Sequence, residues 1–548
     1  MSRVKVLLGG ALGVLTLGAV ALSNGSVSAA AGAQGSPQRL SPEILYPDNQ
    51  DVLPSLRHVP PIAPDWNADL QEKDTHEVKR WASPHSPLTP AQMNLVKDGA
   101  RQAASQALIL PALSATAGLN FDGVGLPGYS PTGAPPDTNG AAGATQYVQW
   151  VNTSFAVFNK STGALVYGPA AGNTLWSGFG GRCSTDNSGD PIVMYDQLAN
   201  RWVMMQFAVS TTPYMQCVAV SQTSDATGAW NRYSYSFGTG FNDYPKGGVW
   251  PDAYYVTYNM FANGSSFSGA QVCAMDRAAM LSGTAASQQC VQLSTTYGGL
   301  LPAYLDGATP PPAGAPNYVL GFDDVSNNAL RLWKYHVDWA TPANSTFTGP
   351  TSIPVTAFTP ACSGGTCVPQ SGTTQRLDSL ADRMMYRLAY RNFGDHEALV
   401  TNHSVTSGGV SGVRWYEIRN PGGTPTVFQQ STFQPDTSYR WMGSIAMDQS
   451  GDMLMGYSAS SSSISPTARI TGRLAGDALN TMQTESDLLS GVTHGSQTTT
   501  LSRWGDYSAM TVDPTDDCTF WYTNEYLGAT GSFNWSTRIF SFKFPACQ

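Results

Sequence analysis

The sequence predicts an all-β fold, and three observations carry that prediction. Apolar and aromatic runs of strand length recur along the chain, turn residues separate them, and no amphipathic helix alternates with them after about residue 116. Composition agrees. Only 12% of residues are charged, while 55 Gly and 36 Pro supply the punctuation that many short strands need.

Residues 1–29 read as a secretory signal. Arg3 and Lys5 start it, an apolar run extends from Val6 to Leu22, and Val27-Ser28-Ala29 offers a small-residue cleavage site. The alternative is a single membrane anchor, because the run is nearly long enough to span a bilayer. No second run of that length follows, so a secreted or extracytoplasmic mature chain is expected. Residues 30–115 form a separate segment. It opens Pro- and Ser-rich, passes through the charged "DLQEKDTHEVKRW", and ends in "TPAQMNLVKDGARQAASQAL" (89–108). There Thr89 suits an N-cap and Pro90 the first helical position. A pro-segment, a spacer and a strap on the main domain all fit it.

Eight cysteines pair sensibly with their neighbours as Cys183–Cys217, Cys273–Cys290, Cys362–Cys367 and Cys518–Cys547. That is one of about 105 connectivities. Zinc is the competing use, and no CxxC or Cys/His cluster supports it.

From about 116 to 548 a degenerate repeat emerges. "GDPIVMYDQLANRWVMMQF" (189–207), "KGGVWPDAYYVTYNMF" (246–261) and "RLDSLADRMMYRLAYRN" (376–392) share one pattern with "RWMGSIAMDQSGDMLMGYS" (440–458) and "YSAMTVDPTDDCTFWYTNEY" (507–526). Each holds an apolar strand, an Asp at its end (Asp196, Asp252, Asp382, Asp448, Asp513) and a second strand. Asp is an ordinary turn residue there, since its carboxylate accepts backbone N–H bonds. Weaker copies span 137–168, with Gly143 at the turn, and 315–339, joined at "SNN". Seven units roughly sixty residues apart predict a seven-bladed β-propeller, although familiar blades take about 40–50 residues. A pair of β-sandwiches and a β-helix are the alternative arrangements.

In a propeller the residues just before each inner strand crowd one mouth of the central channel. Counting back from the hairpins places Asp137, Asp190, Asp378 and Asp506 there with Lys246, Arg376, Arg440 and Arg503. Trp250, Trp441, Trp504, Tyr244 and Tyr507 flank them. Singly, each is most simply structural: acid–base pairs tie blade junctions and Trp fills the gap between sheets. Together they suggest a ligand site. Three Arg suit a carboxylate on the ligand. Asp190 and Asp506 would then divide acid and base roles at a glycosidic bond, or Tyr507 or Tyr244 would act as nucleophile.

The repeated hairpins, the three Arg and the acid-plus-tyrosine set resemble a secreted β-propeller of the broad sialidase-like (neuraminidase-like) kind over roughly 120–545, in architecture. "DQSGDMLMGY" and "DPTDDCTFWY" stand where that family carries its Ser-x-Asp-x-Gly-x-x-Trp turn, with other letters, and no Arg-Ile-Pro occurs. The "RWGDYS" stretch also resembles uncharacterised secreted bacterial proteins. The resemblance implies a glycosidase acting on an anionic extracellular carbohydrate. A non-catalytic propeller binding a glycan or a protein shares the same fold, as does a cell-surface structural protein. The net charge of −9 argues against a broad basic surface for nucleic acid or anionic membrane.

Other motifs are weak. His396, Glu397 and His403 lack the His-Glu-x-x-His spacing of a zinc hydrolase, so no metal is expected there. "DTNGAAGA" and "FDDVSNN" have oxygen-rich turns able to hold Ca²⁺, without EF-hand spacing. No other cofactor is indicated, and no Gly-x-Ser-x-Gly elbow or P-loop occurs.

Overall fold

The computed structural model describes residues 38–63, 71–72, 110–129, 131, 133–498 and 501–548. The signal expected over 1–29 and the helix expected over 89–108 lie outside the described residues.

The fold is an all-β propeller. Among the described residues, seven strands open successive antiparallel units: β1 (Asn139–Ala142), β2 (Gly189–Asp196), β3 (Phe241–Val249), β4 (Leu301–Leu305), β5 (Met385–Asn392), β6 (Tyr439–Met447) and β7 (Ala509–Val512). Each strand contacts the next, and β7 returns to β1, so the series closes on itself. β4 and β5 also pair directly, parallel, through Ala303–Leu388 and Tyr304–Ala389. Close approach between units depends on small residues. A Cβ on Gly248 of β3 would lie 2.3 Å from the Ala303 carbonyl oxygen of β4.

Within a unit the later strands follow by hairpins, as in the order β2, Arg201–Ala208, Tyr214–Ser221 and Trp230–Gly238. The middle strands are covered on both faces by neighbouring sheets, which explains their unbroken apolar sequence. Ile192, Met194, Val203 and Met205 of one sheet pack on Tyr254, Val256 and Tyr258 of the next.

The N-terminal part is woven into this ring. Thr116–Asp122 is the outermost strand of the last unit, paired with Trp535–Lys543, so the two ends of the propeller close in one sheet. Earlier in the chain, Gln38–Leu40, Glu43–Leu45 and Asn49–Leu53 each add a fifth strand to the outer edge of a different unit, those opened by β4, β3 and β2. Exposed edges invite intermolecular pairing, and this strap covers three of them. Residues 38–63 therefore run as a strap along the rim.

Two units differ from the sequence pattern. Residues 315–339 supply the second and third strands of the fourth unit, Asn317–Phe322 and Ala329–His336; the opening strand is β4, which the repeat did not reveal. In the fifth, Asp382 is not a hairpin turn but precedes the opening strand, and Leu377–Asp378 pairs instead with Thr366–Val368. Turn positions at Asp196, Asp252, Asp448 and Asp513 hold: Asp196 closes the first strand of its unit, and the other three sit between the first and second strands of theirs.

All four disulfides join the neighbouring cysteines: Cys183–Cys217, Cys273–Cys290, Cys362–Cys367 and Cys518–Cys547. Such a set is consistent with an extracellular protein. Among the described residues no helix is long and apolar enough to cross a membrane.

Candidate functional site

One backbone feature repeats at the mouth where the opening strands begin. Asp137, Asp190, Tyr244, Gly299, Leu380, Met442 and Asp506 all have positive φ, one residue per unit. Six of the seven are not glycine, and that conformation costs energy for any residue with a Cβ. Asp190, Tyr244 and Met442 sit within breaks of strand register, between Gly189 and Ile192, Asp243 and Lys246, and Trp441 and Ser444. Such bulges re-aim side chains.

Two of these re-aimed residues help build a cluster around Lys246. The Lys246 Nζ lies 3.5 Å from the ring centre of Tyr244 and 3.8 Å from that of Tyr507, between two tyrosine faces. It donates to the Pro245 carbonyl at 2.8 Å. The Tyr507 hydroxyl donates to Asp190 Oδ2 at 3.3 Å, and Arg383 lies 4.6 Å from the Tyr244 ring centre. Arg383 in turn is held by both oxygens of Asp382, at 2.8 and 3.0 Å. Lys246 is fully buried and Tyr244, Tyr507, Asp137 and Arg383 nearly so, while Asp190, Asp243 and Asp382 are half-buried. Asp190, Asp243 and Asp382 are thus the more exposed residues of the cluster, while Lys246, Arg383 and Asp137 lie deeper.

Burial and mutual charge set the protonation of this cluster. Burial, then the Asp190 charge, pushes the Asp243 carboxyl well above the usual carboxylate range. Burial pulls the Lys246 ammonium down to about 7, against the opposing attraction of Asp190, Asp137 and Asp243; Arg383 adds to the lowering. The Tyr507 phenol is driven far up by burial and then by Asp190 and Asp137, so it keeps its proton.

This arrangement predicts a pH signature. A lysine whose folded value falls below the ordinary 10.5 is deprotonated in the folded protein while the unfolded chain still holds the proton. Stability then rises with pH from about 7 upward, by roughly 2 kcal/mol over two pH units. Asp243 works the other way: its contribution is lost as pH rises through its raised value. Denaturant midpoints at about pH 7 and pH 9 are expected to show a steeper rise for the wild type than for Lys246→Met. Equal slopes would mean that Lys246 is not the titrating group.

The other residues expected at the mouth are placed differently. Asp506 and Arg503, both buried, form an ion pair with each other, through Arg503 Nε to Oδ1 at 3.0 Å and a second contact to Oδ2. Arg440 is enclosed, with its guanidinium on Glu485 at 2.8 and 2.6 Å and on Asp436 at 2.9 Å. Arg376 is exposed. Asp378 accepts from the Leu380 amide at 2.8 Å and from Thr366 at 3.2 Å. Trp250, Trp441 and Trp504 are enclosed in the core, so none presents a ring face to solvent. Trp250 packs edge-on against Tyr318 and Tyr390, and Trp504 donates to Ser458.

Asp190, Tyr507, Tyr244, Lys246 and Asp137 thus come together, Asp506, Asp378, Arg440 and Arg503 attach to other partners, and Arg376 stands exposed. Asp243, Arg383 and its partner Asp382 join the cluster unforeseen. Asp243 lies beside Tyr244, and only the register break around Tyr244 could have signalled its role. Elsewhere, His403 is buried against Tyr416 at 2.9 Å and stacked on its ring, a core histidine. Asp323 of "FDDVSNN" spends its carboxylate on Ser326 and the Val325 amide. Among the described residues no group of three or more His, Cys, Asp or Glu stands together as a metal site.

No family model matches the chain. No curated protein matches it either. Solved structures similar to it include an exo-β-1,3-galactanase from Phanerochaete chrysosporium, at 11% identity and TM-score 0.29, over 80% of this chain and 97% of the other. Another is the polysaccharide lyase Uly1, at 10% identity and TM-score 0.35, over 92% and 100%. A third is the N-terminal domain of Nup159, at 8% identity and TM-score 0.30, over 91% and 96%. None of these three is a sialidase, and at such scores the propeller assignment rests on the strand order itself.

Proposed function

We propose that the protein is an extracytoplasmic, seven-bladed propeller that hydrolyses glycosidic bonds at the mouth built around Lys246. The observation that carries this reading is the Asp190–Asp243 pair: two acids on partly exposed residues of one cluster, with the Asp243 carboxyl pushed towards its protonated form by burial and then by the Asp190 charge. Glycoside hydrolysis needs one carboxylic acid to protonate the leaving oxygen and one carboxylate to activate the nucleophile. Asp243 takes the first role and Asp190 the second. Tyr507 keeps its proton, so it orients Asp190 through its hydroxyl and water is the nucleophile. Asp243 stands here in place of Asp506, whose carboxylate is paired with Arg503. The blade count follows the seven opening strands, and the four disulfides with the secretory-type leader support export.

The test is hydrolysis by the purified protein across neutral, amino and anionic oligosaccharides. Turnover of any of them, lost in Asp190→Asn with thermal stability kept, supports the reading. A second reading, a recognition propeller without catalysis, is favoured by the Lys246 side chain closed between two tyrosine rings. Retained binding on a glycan or protein array without turnover would select it.

A further inference from the structure

We infer that the Cys362–Cys367 disulfide is a thiol-sensitive clamp that keeps the mouth assembled; the inference rests on the function proposed above for that mouth. Among the four disulfides this one is set apart. The six cysteines of the other three are buried, whereas Cys362 and Cys367 are half-buried. It also closes the shortest loop, with a separation of 5 residues against 17, 29 and 34. An accessible disulfide is the one a thiolate reaches first. A short loop restrains the unfolded chain least, so opening it leaves the global fold in place. Within the loop, Cys362, Ser363 and Gly364 have φ of 54°, 55° and 87°. Two successive residues with a Cβ in the left-handed region cost energy, and the closed loop holds them there.

The loop reaches the cluster on two sides. On one, the Ser379 hydroxyl donates to the Ala361 and Gly365 carbonyls at 3.1 and 3.0 Å, and the Ser379 amide donates to Gly365 at 3.1 Å. A Cβ on Gly364 would stand 3.4 Å from that of Asp382, the acid that holds Arg383 against Tyr244. On the other, Thr366–Val368 pairs with Leu377–Asp378, and the Asp378 amide donates to the Ser502 carbonyl at 2.8 Å. Just beyond Cys367, the Gln370 side chain accepts from the Gln497 amide at 2.7 Å and donates to the Gln497 carbonyl at 3.1 Å. The Gln497 side chain in turn donates to the Arg503 carbonyl at 2.6 Å. One loop thus ties down the segment that delivers Arg383 and the segment that delivers Tyr507, whose hydroxyl meets Asp190. In reduction, a thiolate of an external dithiol attacks one cysteine sulfur, the S–S bond breaks, and the other cysteine leaves as a thiolate and takes up a proton. The second thiol of the reagent loses its proton, attacks the mixed disulfide and releases the first cysteine, closing a cyclic disulfide. Two electrons and two protons pass to the protein. With the bridge open, residues 361–367 relax, and Arg383 and Tyr507 lose their seating in the cluster.

The experiment titrates the folded wild-type protein with dithiothreitol, alkylates the freed thiols and maps them by mass spectrometry. Amide hydrogen exchange and glycan turnover are read at each step. The expected result is labelling of Cys362 and Cys367 at a reductant concentration about tenfold below that needed for the other six. At that point exchange over 378–383 and 502–507 should quicken about tenfold. Turnover should fall by about the same factor, the thermal midpoint should hold, and reoxidation should restore both readouts. Labelling of all eight cysteines together, or of these two only as the protein unfolds, overturns the inference. Selective reduction that leaves exchange at 502–507 unchanged overturns it too, as does quickened exchange with undiminished turnover. If no glycan is turned over before reduction, the functional reading fails by itself, and exchange alone decides the clamp. The double variant Cys362→Ser with Cys367→Ser should behave as the reduced form and ignore the reagent. If that variant fails to fold, reduction and reoxidation of the wild type still decide the question.

Discussion

Asp243→Asn is expected to lower turnover of the preferred glycan by about 10²- to 10⁴-fold, the range for loss of a general acid. An amide cannot hand a proton to the departing oxygen, yet it nearly preserves the shape of the carboxyl. The protein should therefore remain folded, and binding should change far less than turnover. A substrate with a good leaving group, such as an activated aryl glycoside, needs little protonation, so the variant should cleave it almost as well as the wild type. That contrast separates an acid from a residue that merely shapes the pocket. Measuring kcat and KM for both substrates checks it. Equal losses on the two would remove Asp243 from proton transfer. The alkaline limb of the wild-type profile should also follow Asp243: as pH rises through its raised value the acid is consumed and turnover falls. This limb should be missing in the variant.

Much of the architecture was legible because its causes are local. Strands covered on both faces must be apolar throughout, and turns between them need Asp or Gly, so "IVMYDQLANRWVMMQF" and "AMTVDPTDDCTFWY" declare hairpins. The opening strand β4, "LPAYL", failed to announce itself because it is short and lacks a turn Asp directly paired with a following strand; residues 307–316 intervene. The site was legible only by halves. Counting back from the hairpins reaches Asp137, Asp190 and Asp506, and all three occupy the positive-φ position of their units. Counting could not foresee which way each side chain turns. Asp190 faces Tyr507, whereas Asp506 turns to Arg503, only three residues away. Nor could it foresee that Lys246 is buried between rings, or that Trp441 and Trp504 are closed in the core beside each other. Those outcomes depend on packing between units whose opening strands lie more than fifty residues apart in the chain.

Arg440 decides between the ligand-binding role its sequence position suggested and the structural one its surroundings imply. Its side chain is completely enclosed, while its guanidinium meets both oxygens of Glu485, one of Asp436 and the Ser438 carbonyl. Glu485 also accepts from Tyr457 at 2.8 Å and pairs with Arg469. Removing one member of such a buried network leaves the others desolvated and uncompensated, which costs about 3–5 kcal/mol. Arg440→Met is thus expected to lower the unfolding free energy by that amount, read from denaturant midpoints at constant slope. Adding Glu485→Gln should recover part of the loss, because the orphaned charge is then gone. The pH dependence follows the same logic. Against the burial that raises it, Arg440 and Arg469 hold the Glu485 carboxyl below its ordinary range. The wild type therefore carries a share of stability present above the ordinary Glu value and lost as pH falls through the depressed one. In Arg440→Met that share shrinks, so the variant's stability should fall less steeply in acid. Glycan affinity should stay within about twofold of wild type, since a group enclosed in its own unit touches no ligand. A stability loss below about 1 kcal/mol together with a large loss of affinity would return Arg440 to the binding surface.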